Sequence, residues 1–163
     1  MRRSERAVWV KDLSIRLPDE GATAALGAAV ARALRVGEAV CLSGPLGVGK
    51  SVLARALVRA VAGDATEVPS PTFTLVQFYE GPRLALAHFD LYRLTEPGEA
   101  YEIGLDEALD VGAAVIEWPE RLEGRLPPDR LDICLAMGER ETARAARLTG
   151  AGAWAKRSLE LVA

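Results

Sequence analysis

The chain has 163 residues and a formal net charge of −3; half of its residues are hydrophobic and 26% are charged. Those proportions suit one folded domain, residues 1–163, with a core of its own; they exclude a disordered segment and a protein that grips nucleic acid by bulk charge. No apolar run is long enough to cross a membrane, and the basic start Met1-Arg2-Arg3-Ser4-Glu5-Arg6 meets no signal-type apolar core, so a cytoplasmic location is expected. Cys41 and Cys134 lie in separate apolar stretches without metal-type spacing. They read as buried free thiols of a reducing compartment.

Alternating apolar positions at Val8 and Val10 and, after a shift, Leu13 and Ile15 predict a first strand over Ala7 to Leu17, irregular near Lys11-Asp12. Pro18-Asp19-Glu20 predicts a helix start, with Asp19 as cap and Glu20 at the positive end. Leu26, Val30, Ala33 and Leu34 give that helix one apolar face to about Arg35, and Gly37 stops it. Ala39 to Leu42 is a short apolar run fit for a buried strand, and Val52 to Ala62 predicts the next helix.

Between that strand and that helix lies Gly44-Pro45-Leu46-Gly47-Val48-Gly49-Lys50-Ser51, which matches G-x-x-x-x-G-K-[ST] at every fixed position. In such a loop the backbone N–H groups, here from Leu46 to Gly49, wrap a β-phosphate, and the helix start adds its unpaired donors and positive dipole end. Lys50 is then a cation for the β- and γ-phosphates, and the Ser51 hydroxyl is a ligand for Mg²⁺. The chain is expected to bind a nucleoside triphosphate.

Gly63-Asp64 closes the second helix. Pro69-Ser70-Pro71-Thr72-Phe73-Thr74 is stiff, because two prolines fix φ and remove two amide donors, and it cannot join a sheet interior. Leu75 to Tyr79 and Leu84 to Phe89 predict a hairpin around Glu80-Gly81-Pro82-Arg83. Short helices follow near Thr95–Tyr101 and Asp106–Leu109. The continuous apolar run Val111 to Ile116 predicts a central parallel strand. Leu131 to Met137 and Ala143 to Leu148 predict two more strands, and Trp154 to Val162 a last amphipathic segment.

A phosphate loop also wants a carboxylate at the end of a neighbouring buried strand. Glu117 ends the more buried run and is expected to hold the metal; Asp90, which shares a strand face with His88, is expected near the γ-phosphate or the attacking water. The competing reading of either acid is a solvated strand end. Thr72 sits where nucleotide switches present a hydroxyl to metal and γ-phosphate. A partner protein pressing on its loop would bring the Thr72 hydroxyl and Asp90 into line with the attacking water. His88, the single histidine, orients Asp90, passes a proton, or is a hydrogen-bonded structural residue. Trp118 shields the nucleotide or packs; Arg93, Arg140, Arg144 and Arg147 touch phosphate or a partner, or are surface charges.

Together with Ser70-Pro71-Thr72-Phe73-Thr74-Leu75-Val76, His88-Phe89-Asp90-Leu91-Tyr92-Arg93-Leu94 and Ile116-Glu117-Trp118-Pro119-Glu120, the phosphate loop resembles the TsaE (YjeE) family in motif order and spacing, from Leu17 to Pro128. That family is the ATPase component of the bacterial system that places threonylcarbamoyl on tRNA adenosine. The resemblance implies an α/β P-loop NTPase fold, with a mixed, mostly parallel sheet flanked by helices and a β-hairpin insertion. It also implies ATP with Mg²⁺ at Ser51 and Glu117, Asp90 near the γ-phosphate, and a nucleotide edge at Glu20 and Thr23. Partners of the TsaD and TsaB type, which carry the transfer chemistry, and tRNA reached through that complex are implied too. Two rivals stay open: a small-molecule kinase on the same loop, and a module whose nucleotide state gates assembly with negligible turnover. ATP over GTP rests on the resemblance, since no N-K-x-D motif follows the loop.

Overall fold

The computed structural model describes residues 5–162, so the basic start at residues 1–4 lies outside the described residues. Strand β1 (Glu5–Trp9) is followed by β2 (Asp12–Leu17), α1 (Glu20–Ala33), β3 (Ala39–Ser43) and α2 (Lys50–Ala62). The hairpin β4 (Val76–Glu80) and β5 (Ala85–Asp90) comes next, then α3 (Gly98–Glu102), α4 (Leu105–Val111) and β6 (Ala113–Glu117). Strands β7 (Arg130–Met137), β8 (Arg144–Ala151) and β9 (Ser158–Val162) complete the order. Seven strands form one sheet in the order β2-β8-β7-β3-β6-β5-β4. Its centre, β7-β3-β6-β5, is parallel throughout; β4, β8 and β2 are antiparallel additions at the two sides.

The apolar runs are continuous where the sheet is covered twice. In β3, Val40 and Leu42 face one core cluster while Ala39 and Cys41 face another. In β6, Ala113 and Val115 join the first, Ala114 and Ile116 the second. Helices α1 and α2 cover the first face; α3 and α4 supply Ala100, Leu105 and Ala108 to the second. Gly27 of α1 lets the two helices of the first face close up, since a Cβ there would sit 2.5 Å from the Leu53 carbonyl oxygen.

Two expectations are corrected by layer coverage and pairing. The segment Ala7 to Leu17 is two strands rather than one: it breaks after Trp9, β1 pairs with β9 as a separate two-stranded sheet, and β2 pairs with β8. Cys134 is exposed. Along β7, Leu131, Ile133 and Leu135 face the first core, so Cys134 points to the opposite face, whose core cluster contains no β7 residue. Among the described residues no helix is long and apolar enough to cross a membrane.

Candidate functional site

Two helix starts next to each other are treated differently. Asp19 caps α1, its carboxylate accepting the Ala22 N–H at 2.8 Å, and Glu20 sits in the first turn. Helix α2 begins after Gly49 with no side-chain cap and no acid in its first turn, so its donors and positive dipole end stay available to an anion. Gly44, Gly47 and Gly49 have φ of 137°, 78° and 112°, values that fold the loop back over the helix start and that side chains oppose. The Arg144 guanidinium donates from Nε to the Val48 carbonyl at 2.8 Å and so ties the loop to β8.

A cleft of about 610 Å³ opens beside the loop, lined by Glu20, Thr23, Gly47, Val48, Gly49 and Arg144 among others. Five of the expected nucleotide contacts therefore share one wall. Leu46 instead stands 70% exposed at the loop tip. Arg144, one of four arginines left open between phosphate, partner and plain surface charge, is a loop contact. Arg147 pairs with Asp12 at the surface, and Arg93 lies over the Phe73 ring. Glu141 and Thr142 also line the cleft and carry no sequence signal; the β7–β8 turn brings them there.

Lys50 is buried. Its ammonium donates to the Gly44 carbonyl at 2.5 Å and lies over the Trp118 ring. Burial pushes its pKa below the ordinary lysine value, against the pull of Glu117, Glu120 and Asp90. Trp118 adopts a left-handed backbone, φ 60°, just before Pro119, and its ring meets Tyr92 at 4.9 Å between centroids.

Asp90 and Glu117 are register partners at the carboxyl ends of the adjacent parallel strands β5 and β6. By the two-residue period both project on the α2 face, with Leu86 and Val115. Asp90 accepts the Thr72 hydroxyl at 3.1 Å and the Tyr92 N–H at 3.0 Å. Because the one Thr72 proton is spent on Asp90, the Ser70 hydroxyl 2.6 Å away donates to Thr72. The Thr72–Asp90 contact is thus formed within the single chain. His88 bonds Glu117, Nε2 to Oε2 at 2.7 Å, and not Asp90. Ser51, His88 and Glu117 line one small recess behind the loop. Arg55 and Ser70 line the same recess, and within it the Ser51 hydroxyl and the Glu117 carboxylate are oxygen donors of the kind Mg²⁺ takes, so these two residues fit that ion.

What the parallel centre and the loop define together is a P-loop nucleotide-binding domain. Comparison with known proteins narrows the class. Residues 17–146 match the family model described as threonylcarbamoyl adenosine biosynthesis protein TsaE, and this chain belongs to that family. The match runs past Pro128, through β7 and into β8. The tRNA threonylcarbamoyladenosine biosynthesis protein TsaE of Rickettsia bellii is 39% identical over 121 residues, 74% of this chain and 84% of that protein. The protein of the same description from Treponema pallidum is 41% identical over 123 residues, 73% and 90% of the two chains. Among solved structures, YdiB of Bacillus subtilis superimposes with a TM-score of 0.71 at 27% identity, covering 92% of this chain and 90% of that one. Family membership brings a role in threonylcarbamoyladenosine biosynthesis.

Proposed function

We propose that this chain binds ATP with Mg²⁺ and hydrolyses it, as the ATPase subunit of the system that places threonylcarbamoyl on tRNA adenosine. The observation that carries this reading is the pairing of Asp90 with Glu117 at the carboxyl edge, on the face occupied by the phosphate loop. The N–H groups from Leu46 to Gly49 cradle the phosphates, and Glu20 and Thr23 bound the nucleoside side of the cleft. Lys50 supplies the fixed cation. Ser51 and Glu117 hold Mg²⁺, which when bound offsets the charge that develops on the phosphates. Asp90, held by Thr72 and the Tyr92 N–H, orients the attacking water and accepts its proton. TsaD-like and TsaB-like proteins are the partners, and tRNA is reached through them; the net charge of −3 suits that indirect route.

One observation favours a second reading, a nucleotide-gated module with negligible turnover: Lys50 is engaged by Gly44 and Trp118. Calorimetric ATP affinity with Mg²⁺ and with EDTA, and steady-state phosphate release, separate the cases in wild type, Glu117→Gln and Asp90→Asn. The ATPase reading expects Glu117→Gln to lose the Mg²⁺ dependence and Asp90→Asn to bind normally but turn over slowly. Loss of metal dependence in Asp90→Asn alone reverses the two acids. Tight binding with no phosphate release, partners included, leaves the gated module.

A further inference from the structure

We propose that His88 is a positioning residue for the metal side of this site: its Nε2–H, donated to Glu117 Oε2, holds that carboxylate in the orientation that leaves Oε1 for Mg²⁺. The inference rests on the nucleotide and metal reading given above and assigns a role to a residue that reading does not use. Only one imidazole exists in the chain, and it is 3% exposed, in β5 between Ala87 and Phe89, which face the second core. Its own face carries Leu86 and Asp90. An apolar side chain would fill that place at lower cost, because a buried imidazole needs partners for two nitrogens.

Only one nitrogen is satisfied. Nε2 meets Glu117 at 2.7 Å, while Nδ1 is buried and has no hydrogen-bond partner among the described residues. A histidine kept for stability alone is normally bonded at both ends. This one leaves Nδ1 idle and spends its single bond on the carboxylate that lines the recess with Ser51. Glu117 is 5% exposed, and its Oε1 has no protein hydrogen bond among the described residues. One oxygen is therefore pinned and the other is kept for a ligand. Outer partners of ligating carboxylates act in this way, and their loss costs about 10–100-fold in metal affinity.

The test compares His88→Gln, whose amide Nε2 falls near the imidazole Nε2, with His88→Asn, which is too short, and His88→Leu, which has no donor. ADP affinity is measured by calorimetry with Mg²⁺ and with EDTA, and Mn²⁺ bound to the protein–ADP complex by electron paramagnetic resonance. His88→Gln is expected to keep the Mg²⁺ enhancement of wild type. His88→Asn and His88→Leu lose it by about tenfold or more with unchanged affinity in EDTA, and their Mn²⁺ signal weakens in step. Full enhancement in His88→Leu, or an equal loss in EDTA and in Mg²⁺, overturns the proposal. Should His88→Leu fail to fold, equal enhancement in His88→Gln and His88→Asn overturns it alone. A wild type without nucleotide binding, or a Glu117→Gln variant that keeps the enhancement, sinks the site reading itself and this inference with it.

Discussion

The Lys50 ammonium stands 3.5 Å from the centroid of the Trp118 ring while it donates to the Gly44 carbonyl. The loop's cation is thus held by the loop and by the residue that follows Glu117, so the two halves of the candidate site meet at one side chain. A cation over an indole face is stabilised further when water is excluded, as it is around this buried lysine.

Lys50→Ala is expected to weaken ATP binding tenfold or more, since a charge-assisted hydrogen bond contributes about 1.5–3 kcal/mol. Alkaline pH is the finer probe. Burial lowers the Lys50 pKa, and phosphates favour the ammonium and raise it again. Affinity is therefore flat below the lowered pKa and falls as pH rises above it, because each binding event must then take up a proton. In the free chain the unfolded state holds that proton more firmly, so this group's contribution to stability rises with pH between the lowered value and 10.5. Calorimetry across the alkaline range, with Lys50→Arg as the pH-insensitive control, checks both statements; an identical slope in Lys50→Arg contradicts them.

Thr72→Ala removes a hydroxyl donor from Asp90 and leaves the phosphate loop untouched. Turnover is expected to fall about tenfold or more with ATP affinity retained, and Thr72→Ser to recover most of it. TsaD- and TsaB-like proteins are expected to raise turnover of the wild-type chain. Since Thr72 already touches Asp90 in the single chain, partner stimulation is expected to survive at the same fold in Thr72→Ala. Stimulation abolished in Thr72→Ala places the partners' action on the loop instead.

The two thiols are expected to separate cleanly. Burial, with Asp132 adding to it, pushes the Cys41 thiol up to about 12, whereas Cys134 is exposed. A thiol-disulfide reagent at neutral pH titrates one sulfur in the native protein and the second only in denaturant. Cys134→Ser leaves no native reactivity; rapid labelling of Cys41 in that variant contradicts the assigned burial.

Arg157 and Glu38 form a mostly buried bidentate pair, with Nη2 donating to Oε2 at 2.7 Å, and Arg157 also donates to the Ala33 carbonyl at 3.2 Å. The pair ties the chain just before β9 to the residue that precedes β3, and the bond to Ala33 adds the end of α1. Arg157→Met strands the Glu38 carboxylate and is expected to cost about 3–5 kcal/mol in urea unfolding. Adding Glu38→Gln recovers part of the loss. A single variant within about 1 kcal/mol of wild type, the range of surface pairs, shows that the bridge is solvated in practice.

Much of the site could be read residue by residue because its signals are local. Asp19 caps the helix that starts beside it, and the glycines at 44, 47 and 49 turn the loop where the motif says they must. Glu117 closes an apolar run that is central and parallel, as its composition implied. Asp90 and His88 share a face by strand period alone.

The chain by itself determined the phosphate loop, the capped and uncapped helices and the doubly buried strands, since each depends on residues within a few positions of one another. Tertiary structure alone decided that His88 bonds Glu117 rather than Asp90, because that choice depends on the β5–β6 register. It decided which late arginine reaches the loop, because β8 is set beside the site through its pairing with β7. It split the first predicted strand, because the partner of β1 is β9, at the far end of the chain. It also exposed Cys134, since the same strand alternation buries or bares a side chain according to which layer lies across the sheet. Local preference sets what a segment is; pairing and coverage, made by distant segments, set what its side chains meet.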